Sequence, residues 1–309
     1  MLITDFLCQK TLKGHLGGVY CLARSPEENQ FYSGGSDGHL VVWDPLHSDI
    51  GKVIAKIEDV IFSIHVDLIS GDIYVGTKSG FLFKVNPNEN PSARKMVFHQ
   101  SSIHSLIKVE ENLYAFSADG VISVWSENMD LIKAIQVGPH KLRKCIYIKE
   151  IDKIIFSDGS GSLYSLDPSN HLFKKEISID GLRMAFSLAY SAQTNTLFVG
   201  GMDALIHPFN INPISKKYEA IKAHWYTVND LVVLDPYPWL ASASRDKSIR
   251  IWNQSGLQLL KDLSPSKEGS HQFSVNSLLW LKASEILISA SDDGTIKCWK
   301  PIFKNDTNG

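Results

Sequence analysis

The sequence predicts an all-β chain of seven repeated units, each of four short strands, on three observations. Turn positions recur at near-constant spacing, a large apolar residue closes the strand after each turn, and no segment sustains a 3.6-residue period. The turns fall at Asp37, Ser79, Asp119, Ser160, Asp203, Asp246 and Asp293, in steps of 40 to 47 residues. Six residues after them stand Trp43, Val85, Trp125, Leu166, Phe209, Trp252 and Trp299. The clearest copies read SGGSDGHLVVW, SASRDKSIRIW and SASDDGTIKCW, ending at Trp43, Trp252 and Trp299.

Each unit opens on an apolar residue 18 positions before the turn, or 16 in the third unit: Val19, Ile61, Ile103, Leu142, Ala185, Val228 and Val275. Four of these follow a histidine by four positions: His15, His99, His224 and His271. A second strand of small residues leads to the turn, where Gly and Asp supply turn chemistry, and a third alternates apolar positions up to its Trp. A looser stretch such as KVIAKI or KKYEAIKA then reads as the fourth strand.

Composition narrows the function classes. A 309-residue chain with 44% hydrophobic residues supplies a sizeable core without a membrane-length apolar run. The opening MLITDFLCQKTLK has an early acid, no basic region and Lys10 inside its apolar stretch, so no secretory signal is expected. Cys8, Cys21, Cys145 and Cys298 lack paired spacing, which argues against a zinc site or disulfide framework and for a reducing, cytoplasmic setting. The sequons at Asn253 and Asn305 read as chance matches. With 31 basic against 33 acidic residues, net charge −2, no global field draws the chain to nucleic acid or lipid.

These residues resemble the WD-repeat β-propeller family, whose units of about 40 to 45 residues carry a Gly-His pair, a turn Asp and a Trp-Asp ending. Gly14-His15 and Trp43-Asp44 match outright, whereas Ala223-His224, Trp252-Asn253 and Trp299-Lys300 depart by one residue. Units two, four and five are degenerate: Ile57, Gly138 and Gly181 stand at the histidine position, and Ser79 and Ser160 replace the turn Asp. The resemblance implies a single seven-bladed propeller over 1–309. After Trp299 only KPIFKNDTNG remains, too short and polar for a fourth strand, while TDFLCQKTLK precedes His15 as KYEAIKA precedes His224. The segment from about 2 to 13 is therefore expected to complete blade seven and close the ring, which removes exposed edges. The tail from about 303 to 309 is expected to fray.

His224, Ser242 and Asp246 have the composition of a nucleophile, base and orienter. The same set recurs as His15, Ser33, Asp37 and as His271, Ser289, Asp293, each with its Trp43, Trp252 or Trp299, whereas a hydrolase needs one. His99, Asp119 and Trp125 form a partial copy. In the family these side chains resemble a buried structural network, so no catalytic residue is expected. The Gly-rich SGGSDG and DGSGS lack the Lys-Ser or Lys-Thr pair of a phosphate loop. No cluster has metal-ligand spacing, so neither metal nor cofactor is expected.

The resemblance also implies a partner-binding narrow face around the channel. One place after each opening residue come Tyr20, Phe62, His104, Arg143, Phe186, Asn229 and Asn276. Lys78, Lys141, Arg183, Met184, Trp225, Tyr226, Arg245 and Phe273 lie in the neighbouring loops. Aromatics and Arg anchor protein interfaces; they also serve as channel plug and solvated rim. The expected function is a non-catalytic scaffold, a monomeric propeller within a larger complex, holding a protein or peptide partner with no membrane attachment. An RNA- or phospho-ligand-binding ring, through the stretch Lys141 to Lys144, is the alternative, and so is a propeller enzyme using His104 with Arg143.

Overall fold

The computed structural model describes residues 3–87, 93–266 and 269–304. The strands form seven antiparallel sheets, and every expected opening residue begins its blade's first strand. Blade 1 runs Val19–Arg24, Phe31–Gly35, His39–Trp43, Lys52–Lys56, and blade 2 runs Ile61–Val66, Ile73–Thr77, Phe81–Val85, Arg94–Val97. Blade 3 runs Ile103–Val109, Asn112–Ser117, Val121–Trp125, Leu131–Gln136, and blade 4 runs Leu142–Ile148, Lys153–Asp158, Ser162–Leu166, Phe173–Ser178. The shorter spacing of unit three is a tight hairpin: Val109 pairs with Asn112, and Glu110 turns the chain at φ 52°.

Blade 5 has Ala185–Ser191, Thr196–Gly201 and Leu205–Ile211, but its outer strand is split into Ile214–Lys216 and Ile221–Lys222. The break has a covalent cause. Pro208 offers the outer edge a carbonyl, which accepts from Lys217 N at 2.9 Å, but no N–H. Blade 6 runs Val228–Val233, Trp239–Ser244, Ile249–Asn253, Leu259–Leu263.

Blade 7 takes three strands from one end of the sequence, Val275–Leu281, Ile286–Ser291 and Thr295–Phe303, and its outer strand, Ile3–Lys13, from the other. The pairing runs from Ile3 opposite Phe303 to Lys13 opposite Thr295. Phe303, assigned by sequence to a frayed tail, belongs to this ladder because Ile3 stands opposite it. Leu2 and 305–309, also named in the sequence reading, lie outside the described residues.

The apolar core sits between blades. Seven buried clusters occupy the seven blade interfaces, each joining residues of two neighbours. The closing strand alternates exposed and inward side chains, and its two fully buried ones serve different interfaces. Phe6 packs with Trp239, Trp280 and Trp299 between blades 6 and 7, while Leu12 joins Val19, Phe31 and Trp43 between blades 7 and 1. Burying a Phe or Leu side chain contributes about 1.5 to 3 kcal/mol, so the strand adds both a ladder and two core anchors.

One register feature sets up the central channel. Each first strand breaks its pairing directly after its opening residue, as between Val19 and Cys21 or Val228 and Asp230. A bulge of this kind re-aims the unpaired side chain. The residues in the seven breaks are Tyr20, Phe62, His104, Arg143, Phe186, Asn229 and Asn276, with Lys144 beside Arg143 in the longer break of blade 4.

Deleting residues 1–13 should strip Thr295–Phe303 of its partner and open both flanking interfaces. Size-exclusion chromatography and thermal melting should show association or a lower midpoint. Monomeric elution with an unchanged midpoint would rule out this closure.

Candidate functional site

The loops around the channel are tied down by buried polar networks. In blade 1 Trp43 Nε1 donates to Ser33 Oγ at 2.7 Å, Ser33 Oγ lies 2.7 Å from His15 Nε2, and His15 Nδ1 lies 3.0 Å from Asp37 Oδ2. Because the hydroxyl oxygen accepts the indole proton, its own proton goes to Nε2, leaving Nδ1–H to donate to the carboxylate. Blades 6 and 7 repeat this through Trp252, Ser242, His224, Asp246 and through Trp299, Ser289, His271, Asp293. Blade 3 keeps His99, Asp119 and Trp125, but the hydroxyl is Ser123. Ser123 pairs directly across from Ala115, the position where the other networks carry their serine, so the hydroxyl has moved one strand over.

Ser33, Ser123, Ser242 and Ser289 are fully buried, each engaged by the Trp and His of its own network. Each Asp also accepts the amide after its histidine, so Leu16, Gln100, Trp225 and Gln272 are held at the rim.

The degenerate blades keep a carboxylate at the turn by other routes. Asp59 accepts from Ser79 N at 2.9 Å in blade 2. Asp158 accepts from Ser160 N, Ser160 Oγ, Ser162 N and Tyr164 OH in blade 4. In blade 5 His207, four residues after Asp203, lies 2.7 Å from it and supplies the missing imidazole. Sequence reading missed Asp59, Ser123, Asp158 and His207 because each works from a shifted position. A Ser or His four residues after the turn Asp was the available signal in blades 3 and 5.

Inside this frame five of the seven residues one place after the opening positions, Tyr20 to Phe186, touch in succession around the channel. Tyr20 meets Phe62 edge-on at 5.5 Å between centroids, and Phe62 stacks on His104 at 5.5 Å. Arg143 Nη1 lies 3.1 Å from His104 Nε2, and the Arg143 guanidinium stands 4.9 Å from the centre of Phe186. Two amides complete the circle: Asn229 Nδ2 donates to Val275 O at 2.9 Å, and Asn276 Nδ2 donates to Val19 O at 3.0 Å. Burial, then the charges of Arg143 and Lys141, push His104 down to about 3, so its neutral ring accepts from Arg143. Burial also lowers Arg143 itself.

Together these residues line a mouth of about 480 Å³. One position deeper, where the other blades carry Cys or Ser, blade 4 carries Lys144 and blade 6 carries Asp230. Their side chains pair across the channel at 3.3 Å, and Asp230 raises the pKa of Lys144. Sequence reading named Lys144 only within the basic stretch Lys141 to Lys144 and did not foresee its pairing with Asp230.

The remaining candidates lie on the same face. Lys78, Arg245 and Asp292 follow second strands, and their amides bond back to the carbonyl before the neighbouring first strand, which fixes turn and lead-in loop together. Lys78, Lys141, Arg183 and Arg245 are exposed. Trp225, Tyr226 and Phe273 are 74%, 61% and 57% exposed. Lys222 stands 4.8 Å over Trp225 and Lys247 5.8 Å over Phe273, positions that sequence reading did not single out; nor did it single out exposed Leu16. The mouth is therefore uneven: the contacts from Phe62 to Phe186 lie over blades 2 to 5 and amides lie beneath exposed aromatics over blades 6 and 7, with basic side chains on the rim of both parts. Among the described residues no group of three or more His, Cys, Asp or Glu side chains is arranged to hold a metal, and no helix is long and apolar enough to cross a membrane.

The repeat model described as WD domain, G-beta repeat matches residues 6–44, 215–253 and 264–300. Those matches cover the third strands of blades 1, 6 and 7, whose networks are complete. The chain is 25% identical to rat (Rattus norvegicus) telomerase protein component 1 over 152 residues, 46% of this chain and 6% of that protein. It is 49% identical to a guanine nucleotide-binding protein subunit beta of Arabidopsis thaliana over 45 residues, 15% of this chain and 12% of that one. The WD40 β-propeller domain of Doa1 superposes with a TM-score of 0.80 at 18% identity, covering 96% of this chain and 97% of that domain, which shows the fold.

Asp246→Ala and Asp293→Ala should each lower unfolding free energy in urea by about 1 to 3 kcal/mol, the range for orphaning a buried partner. Ser123→Ala should cost as much in blade 3. Burial alone would raise Asp37, Asp119, Asp246 and Asp293, but the histidine beside each, together with backbone or side-chain donors, outweighs it and lowers all four. A lowered folded pKa stabilises the fold above the unfolded carboxyl value of about 4 and loses that contribution below it. Melting temperature should therefore fall steeply below about pH 4, and the fall should be shallower in the Asp246→Ala, Asp293→Ala double variant. Identical acid profiles would contradict the assignment.

Proposed function

We propose that this WD-repeat β-propeller is a non-catalytic interaction scaffold that holds a protein or peptide partner across the face where its first strands begin. The carrying observation is the contiguity of the mouth and its rim: five side chains in successive contact, two amides and three exposed aromatics share one face. Isolated exposed apolar residues need no explanation, but Trp225, Tyr226 and Phe273 around a concave mouth have the residue types and arrangement of a binding surface. The four repeated His-Ser-Asp sets are spent on the frame, and His104 is engaged between Phe62 and Arg143. A monomeric propeller in the cytoplasm, working within a larger assembly, fits the free cysteines and the near-neutral charge.

Cross-linking with mass spectrometry of the tagged protein from its native cell should give partner cross-links to the rim lysines, Lys78, Lys141, Lys222 and Lys247. A Phe186→Ala, Tyr226→Ala variant should lose about 2 kcal/mol or more of partner affinity with its melting temperature nearly unchanged. Full affinity in that folded variant would move the interface to the blade edges or the opposite face.

A further inference from the structure

We propose that Arg143 is the anchor for an anionic group, a carboxylate or phosphate carried on a peptide segment, entering the channel mouth. This deepens the scaffold reading and rests on it. The Arg143 guanidinium bonds to the His104 ring nitrogen and lies over the Phe186 ring, and among the described residues no Asp or Glu forms an ion pair with it. Its Nε is buried and has no hydrogen-bond partner. A partly buried cation without a counterion, with one buried N–H unpaired, is costly and calls for an explanation.

The charge balance of the mouth points the same way. Its lining carries two cations, Arg143 and Lys144, against one anion, Asp230, and that anion is already paired with Lys144 at 3.3 Å. His104 accepts from Arg143 and adds no neutralising charge. One positive charge is thus unmatched inside a concave, protein-walled space, which focuses its field on an entering anion. Exposed Lys141 and Arg183 flank the same side and extend that field outward. Across the mouth, exposed Trp225, Tyr226 and Phe273 offer apolar contact. A segment bearing an acidic group and a neighbouring apolar side chain matches both halves. A nucleic-acid strand matches less well, because the chain carries net charge −2 and the lining of the mouth holds one unpaired cation rather than a run of them.

The test uses bead-bound degenerate nonapeptide pools whose central residue is fixed as Glu, phosphoserine, Gln or Ser, probed with the full chain. Wild type should be retained at least tenfold more on the Glu or phosphoserine pool than on its Gln or Ser control, and the stronger acidic pool identifies carboxylate or phosphate. That preference should fall to near unity in Arg143→Gln and Arg143→Glu, each checked for an unchanged melting temperature, and persist in Lys52→Glu on the outer strand of blade 1. Absence of acid preference in wild type, or its survival in both Arg143 variants, overturns the proposal. So does preferential binding of oligouridylate that the same variants abolish, or full displacement of peptide by millimolar inorganic phosphate, which marks an adventitious ion only. Equal retention on Glu and Gln pools, lost in Phe186→Ala, Tyr226→Ala, would leave the scaffold standing and remove the anion site.

Discussion

Everything in this molecule depends on closing a circle of sheets whose hydrophobic faces have only one another to cover them. Each apolar cluster lies between two blades, so a blade is stable only if both neighbours are present. The last link is the ladder between Ile3–Lys13 and Thr295–Phe303. It joins residues from opposite ends of the sequence, carries Phe6 and Leu12 into two interfaces and leaves no first or last edge in the ring. The four His-Ser-Asp-Trp networks act at shorter range, fixing the loops that the ring brings to one face.

Closure also creates the site. A bulge at the start of one strand merely turns one side chain; seven around an axis bring Tyr20, Phe62, His104, Arg143 and Phe186 into successive contact and tie Asn229 and Asn276 to the opening strand of the next blade. The arrangement answers both uses these aromatics had in prospect. The stacked rings narrow the channel and touch one another, as a plug does, yet they leave an open mouth with an uncompensated cation and exposed aromatics on its rim. Fold does not fix function, and it is this local imbalance of charge and apolar surface, rather than the propeller itself, that argues for recognition.

Most of the fold was legible because its signals are local and repeated. Turn Asp, small-residue strand and closing Trp recur at fixed distances, and even degenerate units keep the spacing, so all seven opening residues were located. The ring of bulged residues followed from counting one place onward. What escaped was compensation through space: Ser123 replacing a serine on the facing strand, His207 entering from the third strand, and Asp59 and Asp158 serving turns that lack their own Asp. The Lys144–Asp230 pair joins blades 4 and 6 across the channel, at a sequence separation of 86 residues, and no periodicity encodes it. The split outer strand of blade 5 was written in Pro208, whose missing N–H matters only once its facing edge is known.

The most direct test of the claim that closure gathers the mouth is native-state hydrogen exchange through a series of low denaturant concentrations. Amides of Ile3–Lys13 that pair with Thr295–Phe303 should exchange only through the global opening, with the same free energy and denaturant dependence as the first strands of blades 2 to 5. If the closing strand instead opens at a much lower free energy while those first strands stay protected, the mouth does not depend on closure and the account is wrong.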